Sequence, residues 1–149
     1  MTDVPGLPVV WRPHTTRVIG YALAATIVLG MIVLAVVMPE GWGIADRVGL
    51  VVFGGVVSWV IHMLARCRVV ADERGLTLVN AFRTTRYEWA EVVRINFARG
   101  EPWPTLDLAS GDAIGAMGIN GAEHARAAAQ LAELRALLAV RGEGTEPSA

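Results

Sequence analysis

The sequence predicts a membrane-anchored α+β protein, in which a two-helix transmembrane hairpin precedes a small antiparallel β domain with one C-terminal amphipathic helix. Three observations support this prediction. Two long uncharged runs fill the first half of the chain, charged and apolar residues alternate from Cys67 onward, and a helical apolar stripe follows the strands. With 54% hydrophobic and 18% charged residues, the chain is more apolar and less charged than a typical soluble domain.

The two uncharged runs cover residues 18–38 and 48–65. A helix over the first run spans about 31 Å at roughly 1.5 Å per residue, which is close to the thickness of a bilayer's hydrocarbon core. The second run is at the short end for a span, and the alternative for it is a buried helix of a soluble core. A turn with one proline and two glycines, residues 39–47, joins the runs and favours a helical hairpin.

Small residues occur at four-residue spacing in both runs, Gly20 with Ala24 and Gly54 with Ser58. This spacing predicts close packing of the two helices within the hairpin. His62 lies about one turn before the end of the second run and is a candidate functional group, because ionisable side chains inside a membrane are costly. Neither run contains a carboxylate, so we expect a neutral, interface-facing or hydrogen-bonded histidine.

Residues 1–17 contain three prolines and no sustained period, which predicts a flexible cytoplasmic leader. The apolar run that follows is longer than the core of a signal peptide and lacks a small-x-small cleavage site, which favours an uncleaved anchor. Trp11 and Tyr21 lie near the start of this run, where aromatic side chains favour the membrane interface.

Arginine residues near the ends of the runs predict the orientation. One of them, Arg47, lies in the turn. Five flank the outer ends of the hairpin: Arg12, Arg17, Arg66, Arg68 and Arg74. Both termini are therefore expected to be cytoplasmic, in a multi-pass protein of a bacterial plasma membrane.

The β domain is predicted over residues 67–140, with six short strands and a helix. The strands are expected at residues 69–71, 76–80, 82–89, 92–98, 105–108 and 113–119, and the helix at residues 122–140. Asn120 is the predicted N-cap of the helix, with Glu123 three residues on. Its apolar stripe is Ala127, Leu131, Leu134 and Leu138, with Glu123, Arg126, Gln130 and Glu133 on the opposite face. Residues 141–149 are polar and predict a disordered tail.

The order of these features resembles a known family. The turn Arg74-Gly75-Leu76 and the step Tyr87-x-Trp89-x-Glu91-Val92 into the next strand are similar to those of bacterial pleckstrin-homology-like (PH) domain membrane proteins, and of the actinobacterial low-molecular-weight antigen family among them. The resemblance implies a partly open barrel of two packed antiparallel sheets, with seven strands and a helix that caps one end. Inositol-lipid-binding relatives use basic residues around the first hairpin. Here that hairpin is predicted to be Asp72-Glu73-Arg74, which is acidic on balance, so inositol-lipid recognition is not expected.

Two kinds of side chain are candidates for a binding site. Arg83, Arg86, Arg94 and Arg99 could form an anion-facing patch, since basic groups near an anionic leaflet gain roughly 1 kcal/mol each. The alternative is a solvated sheet face with ion pairs to Glu88 and Glu91. Trp103, between two prolines, is a candidate partner contact; the alternative is that it folds back as a plug of the core.

The sequence favours a non-catalytic role. No spacing typical of a nucleophile–base pair, a phosphate loop, a cofactor or a metal site is found, the net charge is −1, and nucleic acid is not an expected partner. We expect a membrane-anchored domain that presents its β fold to a protein, or to anionic lipid headgroups, at the inner face of the membrane. The alternative is an accessory subunit of a membrane complex that acts through its hairpin. A second copy of the chain is a further candidate partner.

Overall fold

The computed structural model describes residues 5–98 and 100–142. The chain divides into two compact units, a helical hairpin of His14–Arg66 and a β domain formed by the residues up to Pro13 and from Cys67 onward. The strands are β1 (Val9–Trp11), β2 (Arg68–Asp72), β3 (Gly75–Val79), β4 (Thr84–Glu88), β5 (Val92–Asn96), β6 (Thr105–Leu108) and β7 (Ala113–Gly115). The helices are α1 (His14–Val37), α2 (Ile44–Ala65) and α3 (His124–Gly142), and a short 3-10 helix covers Trp89–Glu91.

The hairpin consists of two helices that are long and apolar enough to cross a membrane. Only 6% and 11% of their most apolar stretches are buried, so α2 is not the core helix of a soluble domain. Small residues pack the helices together as expected. A Cβ on Gly54 would lie 2.9 Å from Cγ of Met31, and the Ser58 hydroxyl donates a hydrogen bond to the Ala24 carbonyl at 3.3 Å.

Arg47 closes the turn of the hairpin. Its guanidinium donates hydrogen bonds to the carbonyls of Ala35 at 2.7 Å and Met38 at 2.8 Å. The last carbonyls of any helix lack partners within the helix, and a cation there is also favoured by the helix dipole. The single arginine of the turn therefore has a structural role at the end of α1.

The β domain contains two antiparallel sheets, which are ordered β1-β2-β3-β4 and β5-β6-β7. The strands β4 and β7 are each at the edge of their own sheet, and the two sheets do not close into one barrel. The core cluster lies between the sheets and α3 and includes Leu76, Leu106 and Leu134, all fully buried. This is the α+β architecture that the sequence predicts.

The strand β1 corrects the prediction of a flexible leader. Val9–Trp11 pairs antiparallel with β2, with Val10 opposite Val70, and Trp11 is 3% exposed in the core. Trp11 is thus not an interface residue. The described residues form seven strands, and the seventh, which the sequence did not predict, lies before the hairpin. The two apolar helices are therefore an insertion between two neighbouring strands of one sheet.

This topology also changes which turn is the first hairpin. The connection between β1 and β2 contains α1 and α2, whereas the turn at Asp72–Gly75 joins β2 to β3 and is the second connection. The acidic turn therefore joins the second and third strands of the sheet, and the expectation that inositol lipid is not recognised stays a prediction. Gly75 is required in that second turn, because a Cβ on it would collide with the backbone of Tyr87 and Glu88 in β4.

The helix α3 begins later than predicted, at His124. Asn120 does not cap it, since its Oδ1 accepts a hydrogen bond from the nitrogen of Ala122 in the preceding turn. Leu137 is buried and Leu138 only partly so, which shifts the end of the buried stripe by one residue. Glu133, expected to face solvent, accepts a hydrogen bond from the indole of Trp11.

Candidate functional site

The candidate arginines occupy two sheets. Arg83 is exposed just before β4, Arg86 is exposed within β4, and Arg94 is exposed on β5 of the other sheet. Arg99 lies outside the described residues. The anion-facing patch thus stays a prediction, and its three described members do not share one strand or one sheet.

Arg86 binds an acidic side chain instead of standing free. Its guanidinium contacts both carboxylate oxygens of Asp72, at 2.8 and 2.7 Å. The same carboxylate accepts hydrogen bonds from the backbone nitrogens of Arg74 and Gly75. These interactions hold the pKa of Asp72 below its usual value. The largest cause is the hydrogen bond from the backbone nitrogen of Arg74, and the positive charge of Arg86 adds to it. The alternative from the sequence was ion pairs with Glu88 and Glu91, whereas Arg86 forms its ion pair with Asp72.

Trp103 is half-buried and packs against β7. A Cβ on Gly115 would collide with the indole ring of Trp103, so the glycine allows the ring to lie directly on the strand. Pro104, the next residue, is fully buried, and its carbonyl accepts a hydrogen bond from the nitrogen of Ala116 at 2.8 Å. Of the two alternatives for Trp103, this packing favours the plug.

An open slot of about 630 Å³ lies where the two sheets fail to close. Its lining includes Arg83 and Tyr87 from the β4 side and Leu108, Asp112 and Ile114 from the β6–β7 side, with Glu91 beside them. We call this the β4–β7 slot.

The bridge from Asn80 fixes the spacing of the elements around the slot. The Asn80 amide donates a hydrogen bond to the carbonyl of Gly115 at 2.8 Å, and its oxygen accepts one from the nitrogen of Met117 at 3.2 Å. These bonds join the start of the β3–β4 loop to the end of β7. The slot therefore lies between elements that are held together by direct contacts.

The chemistry of the β4–β7 slot suits a polypeptide. Tyr87, Leu108 and Ile114 are partly buried and pack against the core, so they form an apolar floor. One arginine and two carboxylates surround that floor, which gives mixed charge and no strong preference for an anion. Among the described residues, no strand pairs with the outer edge of β4 or of β7, and such edges can accept an added strand.

Comparisons with known proteins agree with this fold. The family model of the bacterial PH domain matches residues 66–137. Uncharacterized proteins of Mycobacterium tuberculosis and Mycobacterium bovis are 30% identical over 145 residues, which cover 93% of this chain and 94% of theirs. The chain belongs to the bacterial PH domain family. No solved structure matches it significantly.

The family match begins at residue 66 and so leaves out β1 and the hairpin. The mycobacterial relatives align over 93% of the chain. An alignment of this length cannot leave out the 53 residues of the hairpin unit. These relatives therefore include a segment aligned with the hairpin, and this bacterial PH domain shares its overall length with them.

Tyr21 and His62 form a polar pair on the surface of the hairpin. The Tyr21 hydroxyl lies 3.1 Å from Nδ1 of His62, and their ring centroids are 5.9 Å apart. Tyr21 is 40% exposed, and His62 is exposed as well. The expectation of a hydrogen-bonded histidine is thus confirmed, with tyrosine as the partner.

Sequence reasoning missed the β4–β7 slot. Its lining residues come from two different sheets, β4 in one and β6 and β7 in the other, and no local pattern marks a pair of strands that fails to meet. Tyr87 and Glu91 belong to the motif shared with the family, and Arg83 was a candidate for its charge, but neither signal says which side of the strand stays open.

Proposed function

We propose that this bacterial PH domain protein is a non-catalytic interaction module of the plasma membrane, whose β domain binds a segment of a partner protein at the inner face. The observation that supports this function best is the β4–β7 slot. It combines an apolar floor, mixed charge and two unpaired strand edges in a domain that is tied to two membrane-spanning helices.

A protein segment fits the slot better than an anionic headgroup does. Of the predicted anion-binding arginines, Arg86 is already paired with Asp72, and Arg83 shares the slot with Glu91 and Asp112. An extended peptide can place apolar side chains on the floor while its backbone pairs with a free edge. The orientation with both termini in the cytoplasm then exposes the slot to cytoplasmic proteins.

Site-specific photo-crosslinking in native membranes tests this function. A photoreactive amino acid replaces Asp112 at the slot or, as the control, Glu73 in the exposed turn between β2 and β3. We expect one discrete adduct from position 112 that is absent at position 73 and is lost when Arg83→Glu is added. No adduct from position 112, or equal adducts from both positions, would contradict the proposal.

The alternative function, an accessory subunit that acts through the hairpin, is supported by the Tyr21–His62 pair. Polar side chains on the surface of a membrane helix bond to other helices more favourably than they face lipid. Recovery of a membrane partner that is lost with Tyr21→Phe and His62→Leu, but retained with Arg83→Glu, would favour this alternative over the slot.

A further inference from the structure

The two strand edges at the β4–β7 slot differ in how much of their backbone is open. In an antiparallel pair, residues that exchange hydrogen bonds alternate with residues whose N–H and C=O groups point away from the partner strand. The nitrogen of Asn80 donates a hydrogen bond to the carbonyl of Arg83 at 2.9 Å, and β3 and β4 keep this register along their whole length. The backbone groups of Thr84, Arg86 and Glu88 therefore point away from β3.

Two of these three residues leave the outer edge of β4 open. The nitrogen of Glu88 donates a hydrogen bond to the carboxylate of Glu91 at 2.7 Å, which closes the edge at that end. Among the described residues, none bonds to the outward N–H and C=O groups of Thr84 and Arg86. A strand placed beside β4 could therefore pair with both of these residues.

The edge of β7 is shorter and partly occupied. The nitrogen of Leu108 donates a hydrogen bond to the carbonyl of Asp112 at 2.8 Å, so the same alternation turns the backbone groups of Ala113 and Gly115 away from β6. The carbonyl of Gly115 already accepts the hydrogen bond from the side chain of Asn80. Of the three residues of β7, this leaves Ala113 with its outward groups open, so β4 offers the better edge.

The side chains of β4 alternate between the slot and solvent. Thr85 and Tyr87 are half-buried, whereas Thr84 and Arg86 are exposed. An added strand keeps this alternation, because side chains at opposite positions of paired strands point to the same face. Its residues opposite Thr85 and Tyr87 therefore lie over the apolar floor of the slot, where apolar side chains are favoured.

Arg83 extends this inner row by one position, since it lies two residues before Thr85. It lines the slot together with Glu91 and Asp112. Both carboxylates already accept hydrogen bonds, that of Glu91 from the backbone of β4 and that of Asp112 from the hydroxyl of Ser110 at 3.0 Å. Within the described part of the chain, the guanidinium of Arg83 has no hydrogen bond or ion pair. An acidic side chain opposite Arg83 would gain a charge-assisted hydrogen bond.

We propose that the partner segment is an antiparallel strand on the outer edge of β4, with the pattern apolar-x-apolar-x-acidic read from its N-terminus. The two apolar residues lie opposite Tyr87 and Thr85, and the acidic residue lies opposite Arg83. The two residues between them exchange backbone hydrogen bonds with Arg86 and Thr84. Antiparallel pairing matches every described pair of this sheet. The inference rests on the proposed function and adds the edge and the kind of segment that it binds.

Proline substitution separates the two edges. Thr84→Pro removes an outward N–H of β4 and no bond to β3, and proline is tolerated where the N–H of an edge strand points away from the sheet. Ala113→Pro is the matched control on β7. Each is combined in the full chain, in native membranes, with a photoreactive amino acid in place of Ser110, which lines the slot. Thermal unfolding of the purified chains in micelles compares the stability of the two variants.

We expect the adduct from position 110 to be lost with Thr84→Pro and kept with Ala113→Pro. An adduct that survives Thr84→Pro would overturn the added strand on β4 and would leave the proposed function standing. Loss with Ala113→Pro alone would assign the segment to β7 and would also overturn the inference. No adduct in the chain without either proline would contradict the proposed function itself, and this inference with it.

Two further measurements examine the segment and do not depend on the proline variants. Mass spectrometry of the adduct should identify a crosslinked peptide of another protein with the pattern apolar-x-apolar-x-acidic. Arg83→Lys should keep the adduct, whereas Arg83→Glu should lose it, because only lysine retains the positive charge. A peptide without this pattern, a peptide from a second copy of this chain, or equal adducts from the two Arg83 variants would overturn the proposal.

Discussion

The indole Nε1 of Trp11 donates a hydrogen bond of 2.7 Å to Oε2 of Glu133, which lies 122 residues further along the chain. Trp11 belongs to the strand before the membrane hairpin and Glu133 to the helix after the sheets. The bond therefore joins the two ends of the β domain, and it explains how a strand of three residues is held against a sheet from which α1 and α2 separate it.

Loss of this bond should destabilise the β domain. We expect Trp11→Phe to lower the free energy of unfolding by about 1–3 kcal/mol, because the ring still fills the core while the bond to a charged acceptor is lost. Val10→Ala is the control, since Val10 is 44% exposed on the opposite face of the same strand and should change stability by about 0.5 kcal/mol. Chemical unfolding of the full chain in micelles measures both, and equal effects would show that the bond contributes nothing.

The β domain should fold without the hairpin if β1 is supplied. We expect residues 67–142 alone to be unstable, because removing Trp11 from the core costs about 3–5 kcal/mol out of a typical total of about 5–15 kcal/mol. Residues 5–13 joined to residues 67–142 by a short Gly/Ser turn should fold cooperatively. Thermal unfolding followed by circular dichroism compares the two chains, and similar transitions in both would mean that β1 is dispensable.

The Asp72–Arg86 pair predicts a pH dependence. The pKa of Asp72 is lowered in the folded state, so the charged carboxylate contributes its full stability above the unfolded value of about 3.9. This contribution is lost as the pH falls through the lowered pKa. We expect the unfolding midpoint to fall between about pH 5 and about pH 2, and less steeply in Asp72→Asn. The side chains of Arg86 and Asp72 are 50% and 32% exposed, so the difference in pH dependence between the unsubstituted chain and Asp72→Asn should be small and should shrink in high salt. Identical pH dependence in the two chains would contradict the prediction.

Arg47 should stabilise the turn of the hairpin. We expect Arg47→Ala to destabilise the helices by about 1–3 kcal/mol, since the carbonyls at the end of α1 lose their charged donor. Arg47→Lys should recover only part of this, because an ammonium cannot reproduce the fork of donors. Arg141→Ala, exposed in the last turn of α3, is the control. The measurement is the thermal loss of helical signal in micelles. No change in stability with Arg47→Ala would show that water or lipid satisfies the carbonyls equally well.

Local patterns in the sequence predicted most of the fold. The two apolar runs, the strands β2 to β7 and the final helix each have a period or a turn residue within a short window. Val9–Trp11 has neither, since a strand of three residues next to prolines has no period, and its partner Val69–Ala71 lies beyond the hairpin. Trp11 was assigned to the membrane interface because the apolar run is its nearest neighbour in sequence.

The binding site was harder to predict than the fold. The candidate arginines were chosen for their charge, and a sequence does not say that Arg86 meets a carboxylate across the sheet at Asp72. The β4–β7 slot arises from two strand edges that do not pair. It depends on the arrangement of elements, whereas charge and periodicity describe the elements one at a time.

The central structural claim is that the membrane hairpin is inserted between the paired strands β1 and β2. Val10 and Val70 are direct partners in this pair, and partners in antiparallel strands lie about 4.5–5.5 Å apart between Cα atoms, within reach of a disulfide. The test uses Val10→Cys with Val70→Cys in a Cys67→Ala chain that has a protease site at Gly41 in the turn. After oxidation in membranes and cleavage at the turn, the two fragments should stay joined on a non-reducing gel. Val10→Cys with Val93→Cys should give separate fragments, and separation of the fragments in the Val10/Val70 pair as well would contradict the claim.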